Sequence, residues 1–297
     1  MHRLQGIGED DNNKNYTLMD LYKYSGAGND FIAADGRGTA DLGDLRSADR
    51  ISALCSRTEG VHAPDGRVGA DGLLIVTDPA PGCDFCMEYY NADGSGGMMC
   101  GNGGRCIVAF ADFLGIPRSG DTYLFEAADG LHAGTVLSKD GNMYGIRLKM
   151  VDASDRRELL GGTFLNTGTR HFVKMVDDVK AVDVETEGKS FRWNEAFAPQ
   201  GANANFVSRD QDGTFSVRTF EKGVEAETLA CGTGITACAI ALYGAGVAPN
   251  ETEADGRVIY RLHALGGDLS VDFKPAEPAV DVYLTGPAEL VGHLNSL

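Results

Sequence analysis

The chain has 297 residues, 43% hydrophobic and 23% charged, which is ordinary for a globular protein of one large or two mid-sized domains. Its formal net charge of -17 would repel phosphate backbones and anionic lipid, so nucleic acid and membranes are not predicted partners. No run approaches the ~20 consecutive apolar residues of a membrane span, and the N-terminus lacks the apolar segment of a signal peptide. A cytoplasmic location is therefore expected.

The N-terminal half predicts short strands and one helix behind a polar tail, residues 1–16. Residues 17–36 have the pattern strand, Gly-rich turn, strand. The stretch 48–57 has a helical pattern, and short apolar runs at 73–78 and 85–90 indicate two further strands.

Two segments predict buried helices. GGRCIVAFADFL (103–114) and GITACAIALY (234–243) are apolar around nearly the whole helical circumference, and glycines follow each one. Between them, from about 121 to 230, short alternating stretches separated by turn residues indicate antiparallel strands, and more strands follow up to 286.

The chain carries one pattern twice: strand, polar turn, Cys-Gly-x-Gly, buried helix, glycine stop. MCGNGGRC (99–106) matches ACGTGITAC (230–238). We therefore predict an α+β fold of two related domains, each with one cysteine, Cys100 or Cys231, at the start of a central helix.

Two cysteines at two helix N-termini suit proton transfer at a carbon atom. The free N–H groups and partial positive charge of a helix start can hold a carboxylate and stabilise a thiolate, which would lower the thiol pKa. If the two ends face each other, one thiolate removes an α-proton and the other thiol protonates the opposite face. The alternative is two structural helix starts with buried cysteines; the duplication favours the catalytic interpretation.

The other cysteines carry weaker signals. An odd total of seven argues against a disulfide framework. Cys55, Cys106 and Cys238 fall inside helical patterns and are predicted to be core residues. Cys83 and Cys86 have redox or zinc spacing, but no second pair completes a zinc site.

At these residues the chain resembles the diaminopimelate epimerase family over nearly all of its length after residue 20. The order of the motifs makes the resemblance highly specific. They are SGAGNDF (25–31), GADGLL (69–74), YNADGSGGMMCGNGGRC (90–106), GANANF (201–206), FEKGVEAETLACGTG (220–234) and LTGPA (284–288).

The resemblance implies a cofactor-free isomerase that interconverts LL- and meso-2,6-diaminopimelate for lysine and peptidoglycan synthesis. It implies two structurally similar domains, each a mixed or antiparallel sheet wrapped around a central buried helix, with the active site between them. The corresponding division is 17–127 plus 286–297 for the domain with Cys100, and 128–285 for the domain with Cys231.

The resemblance also assigns site residues. Cys100 and Cys231 are the expected catalytic thiols, and His171 and Glu221 are expected to tune them. The expected substrate-binding residues include backbone groups that cradle the reacting carboxylate and side chains that contact the substrate, with Asn91 and Glu221 near its distal end. They are Gly101, Asn102, Gly232 and Thr233 for the cradle, and Asn29, Asn91, Asn203, Glu221 and Lys222 for the side chains.

Three positions depart from the family pattern. Lys222 stands where an Arg usually follows the Glu, Gly72 where a Gln often follows the Asp, and Thr169-Arg170-His171 where Asn-Pro-His is usual. Lysine supplies charge without a bidentate fork, and Arg170 is a candidate replacement for carboxylate binding. The departures concern the distal end of the substrate rather than the thiols.

No cofactor or metal is predicted, because no Schiff-base lysine motif is identifiable and the histidines form no pair at metal spacing. They are His2, His62, His132, His171, His263 and His293. The expected partners are a small amino-acid substrate and, as one open possibility, a second copy in a homodimer. Three alternatives remain: a proline racemase or 4-hydroxyproline epimerase, a binding protein that has lost activity, and a thiol redox protein using Cys83 and Cys86.

Overall fold

A computed structural model describes residues 19–39, 42–97, 100–118 and 120–294. The predicted polar tail, 1–16, lies outside the described residues. Within the described ranges the chain forms four α-helices and seventeen strands, and none of these helices has the length and apolar character needed to cross a membrane.

The helices are α1 (Ala48–Cys55), α2 (Gly101–Phe113), α3 (Val184–Arg192) and α4 (Gly232–Gly244). The strands up to α3 are β1 (Leu21–Gly26), β2 (Asn29–Asp35), β3 (Gly72–Thr77), β4 (Phe85–Asn91), β5 (Thr122–Ala127), β6 (Gly130–Asp140), β7 (Met143–Lys149), β8 (Ser154–Leu159), β9 (Gly162–Asn166) and β10 (Arg170–Met175). Those after α3 are β11 (Asn203–Arg209), β12 (Phe215–Glu221), β13 (Ala226–Thr228), β14 (Glu251–Thr252), β15 (Val258–Ala264), β16 (Gly267–Lys274) and β17 (Val280–Leu294).

Helix α3 was not predicted, and it changes the expected strand pairing. It connects β10 to β11, which pair in parallel, because a parallel pair needs a long crossover of this kind. The expectation of purely antiparallel strands between 121 and 230 is therefore wrong at this point. The sequence shows no apolar helical pattern here, because the only buried positions of α3 are Val184, Gly188 and Arg192.

Strand β17 connects the two halves of the sheet. It pairs antiparallel with β16, with β7 and with β1 at successive positions along its length. Its buried residues alternate with partly exposed ones, and Leu284 lies on the buried side.

The two predicted buried helices are confirmed. Residues Gly101–Ala111 of α2 are buried throughout, and α4 is buried at nearly every position from Gly232 to Leu242. Helix α2 contacts β1, β2, β3, β6, β7 and β17, whereas α4 contacts β9, β10, β11, β12, β15, β16 and β17. Side chains of both helices belong to one apolar cluster, so the core is continuous between the halves.

Candidate active site

The first turns of α2 and α4 meet at two glycines. A Cβ on Gly101 would lie 3.6 Å from the Cα of Gly232, and one on Gly232 would lie 3.4 Å from the Cα of Gly101. Either added atom would also approach Leu284 Cδ2, to 3.2 and 3.0 Å respectively. Glycine at both positions therefore leaves room for Leu284 between the two helix starts, where a side chain would crowd it.

This meeting point brings Cys100 and Cys231 together, because each occupies the N-cap position of its helix. The two thiols are near enough for the charge of one to affect the ionisation of the other. A helix leaves the N–H groups of its first turn without partners inside the helix, and here two first turns meet. Such an arrangement suits an anion, with one thiol from each helix beside it.

The Cys100 thiol caps its own helix. Its Sγ accepts a hydrogen bond of 3.2 Å from the N–H of Gly103. Burial raises the pKa of this thiol, while the Gly103 N–H and the nearby guanidinium of Arg105 oppose the rise.

The Cys231 thiol makes no such cap and is more deeply enclosed, with 8% of the residue exposed. Burial and the neighbouring Glu221 carboxylate raise its pKa to about 12, and the Thr233 hydroxyl, 3.4 Å from Sγ, opposes this. The expected lowering of the thiol pKa by the helix start is wrong for both cysteines, because desolvation outweighs the helix N-termini.

A hydrogen-bonded chain leads from Cys231 into the protein interior. Thr233 Oγ1 lies 3.0 Å from His171 Nε2, and the Asn205 amide donates to His171 Nδ1 at 3.1 Å. Since the amide nitrogen is a donor, Nδ1 is unprotonated and Nε2 carries the proton. Burial lowers the pKa of His171 to about 3, so the ring is neutral. Thr169 also contacts His171 Nε2, at 2.8 Å.

Asn205 was not among the predicted site residues. It is fully buried, and its side chain also bonds the carbonyl of Phe172 and the hydroxyl of Thr219. The available signal was its spacing from Asn203, since residues two apart on a strand share a face. Asn203 itself bonds the Arg170 carbonyl and the backbone N–H of Lys222.

Asn29 and Asn102 form a hydrogen-bonded pair at the start of α2. Asn102 donates to Asn29 Oδ1 at 2.6 Å and to the Ala230 carbonyl at 3.3 Å, which ties the two halves across the site. Asn29 in turn donates to Asp71 Oδ2 at 2.9 Å.

Sequence reasoning also missed Arg105, a fully buried residue two positions after the CGNG motif. Its guanidinium donates to Asn102 Oδ1 and to the carbonyls of Gly101 and Pro287. No carboxylate among the described residues pairs with it, so oxygen dipoles alone stabilise its charge, and burial lowers the pKa of Arg105 to about 10.

The remaining predicted residues lie further out. Asn91 forms part of the turn after β4, where its amide donates to Ser95. The Glu221 carboxyl is mostly enclosed, and burial raises its pKa. Lys222 is exposed, with no carboxylate partner in the described part of the chain. Arg170 points to the Phe197 carbonyl and the Gln200 side chain instead of to the thiols.

No cluster of three or more metal-ligating side chains occurs in the ranges that the structure covers. An open groove of about 430 Å³ does occur elsewhere, lined by residues such as Arg261, His263, Asp268 and Pro287. It contains none of the predicted site residues.

Comparison with known proteins identifies the family of this chain. The family model described as "Diaminopimelate epimerase" matches residues 21–151 and 163–291. Similar proteins named diaminopimelate epimerase include those of Flavobacterium psychrophilum, 39% identical over 92% of this chain and 98% of that protein, and of Chlorobaculum tepidum, 38% identical over 90% and 97%. The protein of that name from Aquifex aeolicus is 37% identical over 90% of this chain and 94% of its own length.

Solved structures of lower identity share the fold. A Bacillus anthracis phenazine biosynthesis protein of the PhzF family has a TM-score of 0.67 at 13% identity, covering 94% of this chain and 99% of that one. A hydroxyproline epimerase from Agrobacterium vitis with bound trans-4-OH-L-proline has a TM-score of 0.59 at 17% identity, covering 93% and 90%. Both Cys-Gly-x-Gly helix starts lie at one site, and the two stretches that match the family model contain one of them each. This chain therefore belongs to the diaminopimelate epimerase family.

Proposed function

We propose that this protein is an epimerase that interconverts LL- and meso-2,6-diaminopimelate, as a step of lysine and peptidoglycan synthesis. The observation that carries the proposal is the meeting of two cysteine-capped helix starts at Gly101 and Gly232. One thiolate takes the α-proton, and the other thiol protonates the opposite face of the carbon. The two cysteines exchange roles in the reverse direction.

The reacting carboxylate is held by the backbone N–H groups of Gly101, Asn102, Gly232 and Thr233. These donors belong to two helix N-termini, so their partial charges add at one point. They stabilise the negative charge that spreads onto the carboxylate as the proton leaves. The contact between the two glycines supports this role, because a Cβ at either would crowd Leu284 Cδ2, at 3.2 or 3.0 Å, beside the donors.

Because the pKa of both thiols is raised, the reaction needs an interaction that favours the thiolate when the substrate binds. Glu221, which the resemblance placed near the distal end of the substrate, contributes to the rise at both cysteines, so we assign it to the reacting end. An amino acid brings an ammonium group next to the reacting carbon, and pairing it with Glu221 neutralises that carboxylate. Substrate binding then removes one cause of the raised pKa and favours the thiolate.

The remaining substrate contacts are assigned to Asn29, Asn91, Asn203 and Lys222, of which Asn91 and Lys222 serve the distal end. Asn203 holds the backbone N–H of Lys222, which fixes the start of the loop that bears the exposed lysine. We assign Lys222, and not Arg170, to the distal carboxylate, because the Arg170 guanidinium is already bonded to Phe197 and Gln200.

We further propose two similar domains, each with its sheet wrapped around α2 or α4. The sequence-based division is 17–127 plus 286–297 and 128–285. Two observations favour a later boundary: β6 and β7 contact α2, and the two family-model matches part between 151 and 163. The homodimer stays a prediction.

The test is α-proton exchange in D2O, followed by NMR on reduced protein without added cofactor. LL-diaminopimelate should exchange and epimerise, and Cys100→Ser and Cys231→Ser should each lower the rate about a thousandfold or more. Cys83→Ser is the matched control, because this thiol lies before β4 and outside both helix starts.

Three results would contradict the proposal. Exchange of trans-4-hydroxy-L-proline instead of diaminopimelate would favour the hydroxyproline epimerase alternative. Diaminopimelate binding without exchange, unaffected by either serine variant, would favour a binding protein. Loss of activity in Cys83→Ser alone would indicate thiol redox chemistry.

A further inference from the structure

The sheet beside the start of α2 has a gap in one row of side chains. Phe31, Gly72 and Asn91 are register partners on β2, β3 and β4, so they lie side by side. At Gly72 a Cβ would lie 2.4 Å from the Tyr90 carbonyl oxygen and 2.7 Å from the ring of Tyr89. The glycine therefore makes room for the Tyr89 ring.

The Tyr89 ring is fixed on both faces. It meets Phe31 edge-on, with ring centroids 6.0 Å apart, and it covers Gly97, where a Cβ would lie 2.4 Å from Tyr89 Cδ1. The tip of Phe31 is in turn 3.7 Å from the position of a Cβ on Gly103, the residue whose N–H bonds Cys100 Sγ. Tyr89 is thus placed at the α2 side of the site.

The Tyr89 hydroxyl lies close enough to Cys100 for the charge of that thiol to affect its ionisation. The residue is only partly buried, and its hydroxyl makes no hydrogen bond to any of the residues that the structure describes. The packing contacts with Phe31, Gly72 and Gly97 involve only the ring of Tyr89, so they do not account for its hydroxyl. The neighbouring Tyr90, in contrast, faces the other side of β4 and bonds Glu88 Oε2 at 3.0 Å.

The surroundings of Tyr89 are anionic. Burial raises the pKa of its hydroxyl, and Cys100, Asp71 and Glu221 raise it further, so it stays protonated. A neutral phenol oxygen among carboxylates and thiols is suited to accept a hydrogen bond from a cation. Glu221, at the end of β12, comes from the other half of the sequence and lies close enough for its charge to raise the pKa of the Tyr89 hydroxyl.

We propose that Tyr89 is a substrate-positioning residue, whose hydroxyl oxygen accepts a hydrogen bond from the ammonium group beside the reacting carbon, opposite the Glu221 carboxylate. This proposal rests on the proposed epimerase function and adds a contact that the family motifs did not assign. It gives the ammonium one partner from each half of the molecule, which orients the α-carbon between the thiols.

The test compares Tyr89→Phe with Tyr90→Phe and wild type. Both changes delete one hydroxyl from adjacent residues of β4 and keep the ring. Tyr89→Phe should raise KM for LL-diaminopimelate about tenfold and leave kcat within about twofold, as expected for loss of one charge-assisted hydrogen bond. Tyr90→Phe should leave both constants unchanged.

A binding measurement distinguishes the contribution of the substrate ammonium group from that of its carboxylates. Pimelate has the same carbon chain and both carboxylates but no ammonium group. The increase in Tm caused by diaminopimelate should be smaller in Tyr89→Phe than in wild type, whereas the increase caused by pimelate should be equal in the two proteins.

The outcomes distinguish this proposal from the proposed function. No epimerisation by wild type and Tyr90→Phe would overturn the epimerase function and this proposal with it. Wild-type turnover with an unchanged KM in Tyr89→Phe would overturn only the role of Tyr89. Equal defects in Tyr89→Phe and Tyr90→Phe, or an equal loss of pimelate stabilisation, would also overturn it.

Discussion

The starts of α2 and α4 share a motif but not their surroundings. At α2, Cys100 accepts a backbone N–H from Gly103, and the buried guanidinium of Arg105 lies one turn into the helix. At α4, Cys231 has no backbone cap, and its support is the neutral chain from Thr233 to His171.

The difference shows that the duplicated motif sets the geometry while neighbouring residues set the ionisation. Each glycine places its helix against the other, yet the Arg105 guanidinium supports one thiol, whereas the Thr233 hydroxyl and the Gly234 N–H support the other. Because acid and base exchange roles with direction, the two directions use differently supported bases. Changing one neighbour at a time should therefore affect the two ends unequally.

The largest expected effect is on the free energy of unfolding and comes from His171, which contacts the start of α4 through Thr233. Its pKa is about 3 in the folded protein against about 6.5 when unfolded. The unfolded chain therefore binds the extra proton between these values, and the stability contributed by the neutral ring is present above pH 6.5 and lost as pH falls. By pH 4 the loss should be about 3 kcal/mol.

Urea unfolding of wild type and His171→Gln at pH 7 and pH 4 measures this loss. The glutamine variant does not titrate, so its free energy of unfolding should fall less over this interval. His293→Gln is the control, because that histidine is exposed and pairs with Asp20 at the surface. An equal fall in wild type and His171→Gln would show that His171 is not held neutral.

Much of this architecture could be predicted from the sequence, because it follows from local pattern. The all-round apolar segments predicted α2 and α4, and the repeated Cys-Gly-x-Gly predicted cysteines at both helix starts. The rest depends on distant contacts. Arg105 looks like a surface cation in sequence, and only the packing of Pro287 and Asn102 against it shows that it is buried.

The ionisation of the thiols could not be predicted for the same reason. A helix start lowers a thiol pKa in isolation, but the enclosure of Cys231 and the approach of Glu221 from β12 reverse the direction. The Gly72 departure has a similar explanation. It looks like a lost side chain in sequence, whereas in the fold the Tyr89 ring occupies the space.

The next effect tests whether the two helix starts are equivalent in geometry. Gly101→Ala and Gly232→Ala should each lower kcat/KM about tenfold to a hundredfold, because both added methyl groups meet Leu284 and shift the carboxylate donors. Steady-state kinetics would measure the loss. Gly96→Ala is the control, since a Cβ there meets no atom within 4 Å. Strongly unequal losses would show that one helix alone binds the carboxylate.

The smallest expected effect on kcat comes from Thr233→Val, which should affect the start of α4 and leave the start of α2 unchanged. Thr233→Val removes the hydroxyl between His171 and Cys231 without changing side-chain shape. That hydroxyl lowers the Cys231 pKa, so its loss should raise the pKa further and move the rise of kcat with pH to higher pH. At neutral pH, kcat should fall about tenfold.

Thr236→Val is the matched control for Thr233→Val, because this buried hydroxyl bonds only the Gly232 carbonyl within the same helix. Thr233→Ser, which keeps the hydroxyl, should restore the wild-type pH profile. The shift should appear in the reaction direction that uses Cys231 as the base, while the direction that starts from Cys100 keeps its profile. A pH profile that moves equally in both directions would mean that Thr233 acts on the site as a whole, and the proposed inequality of the two thiols would be wrong.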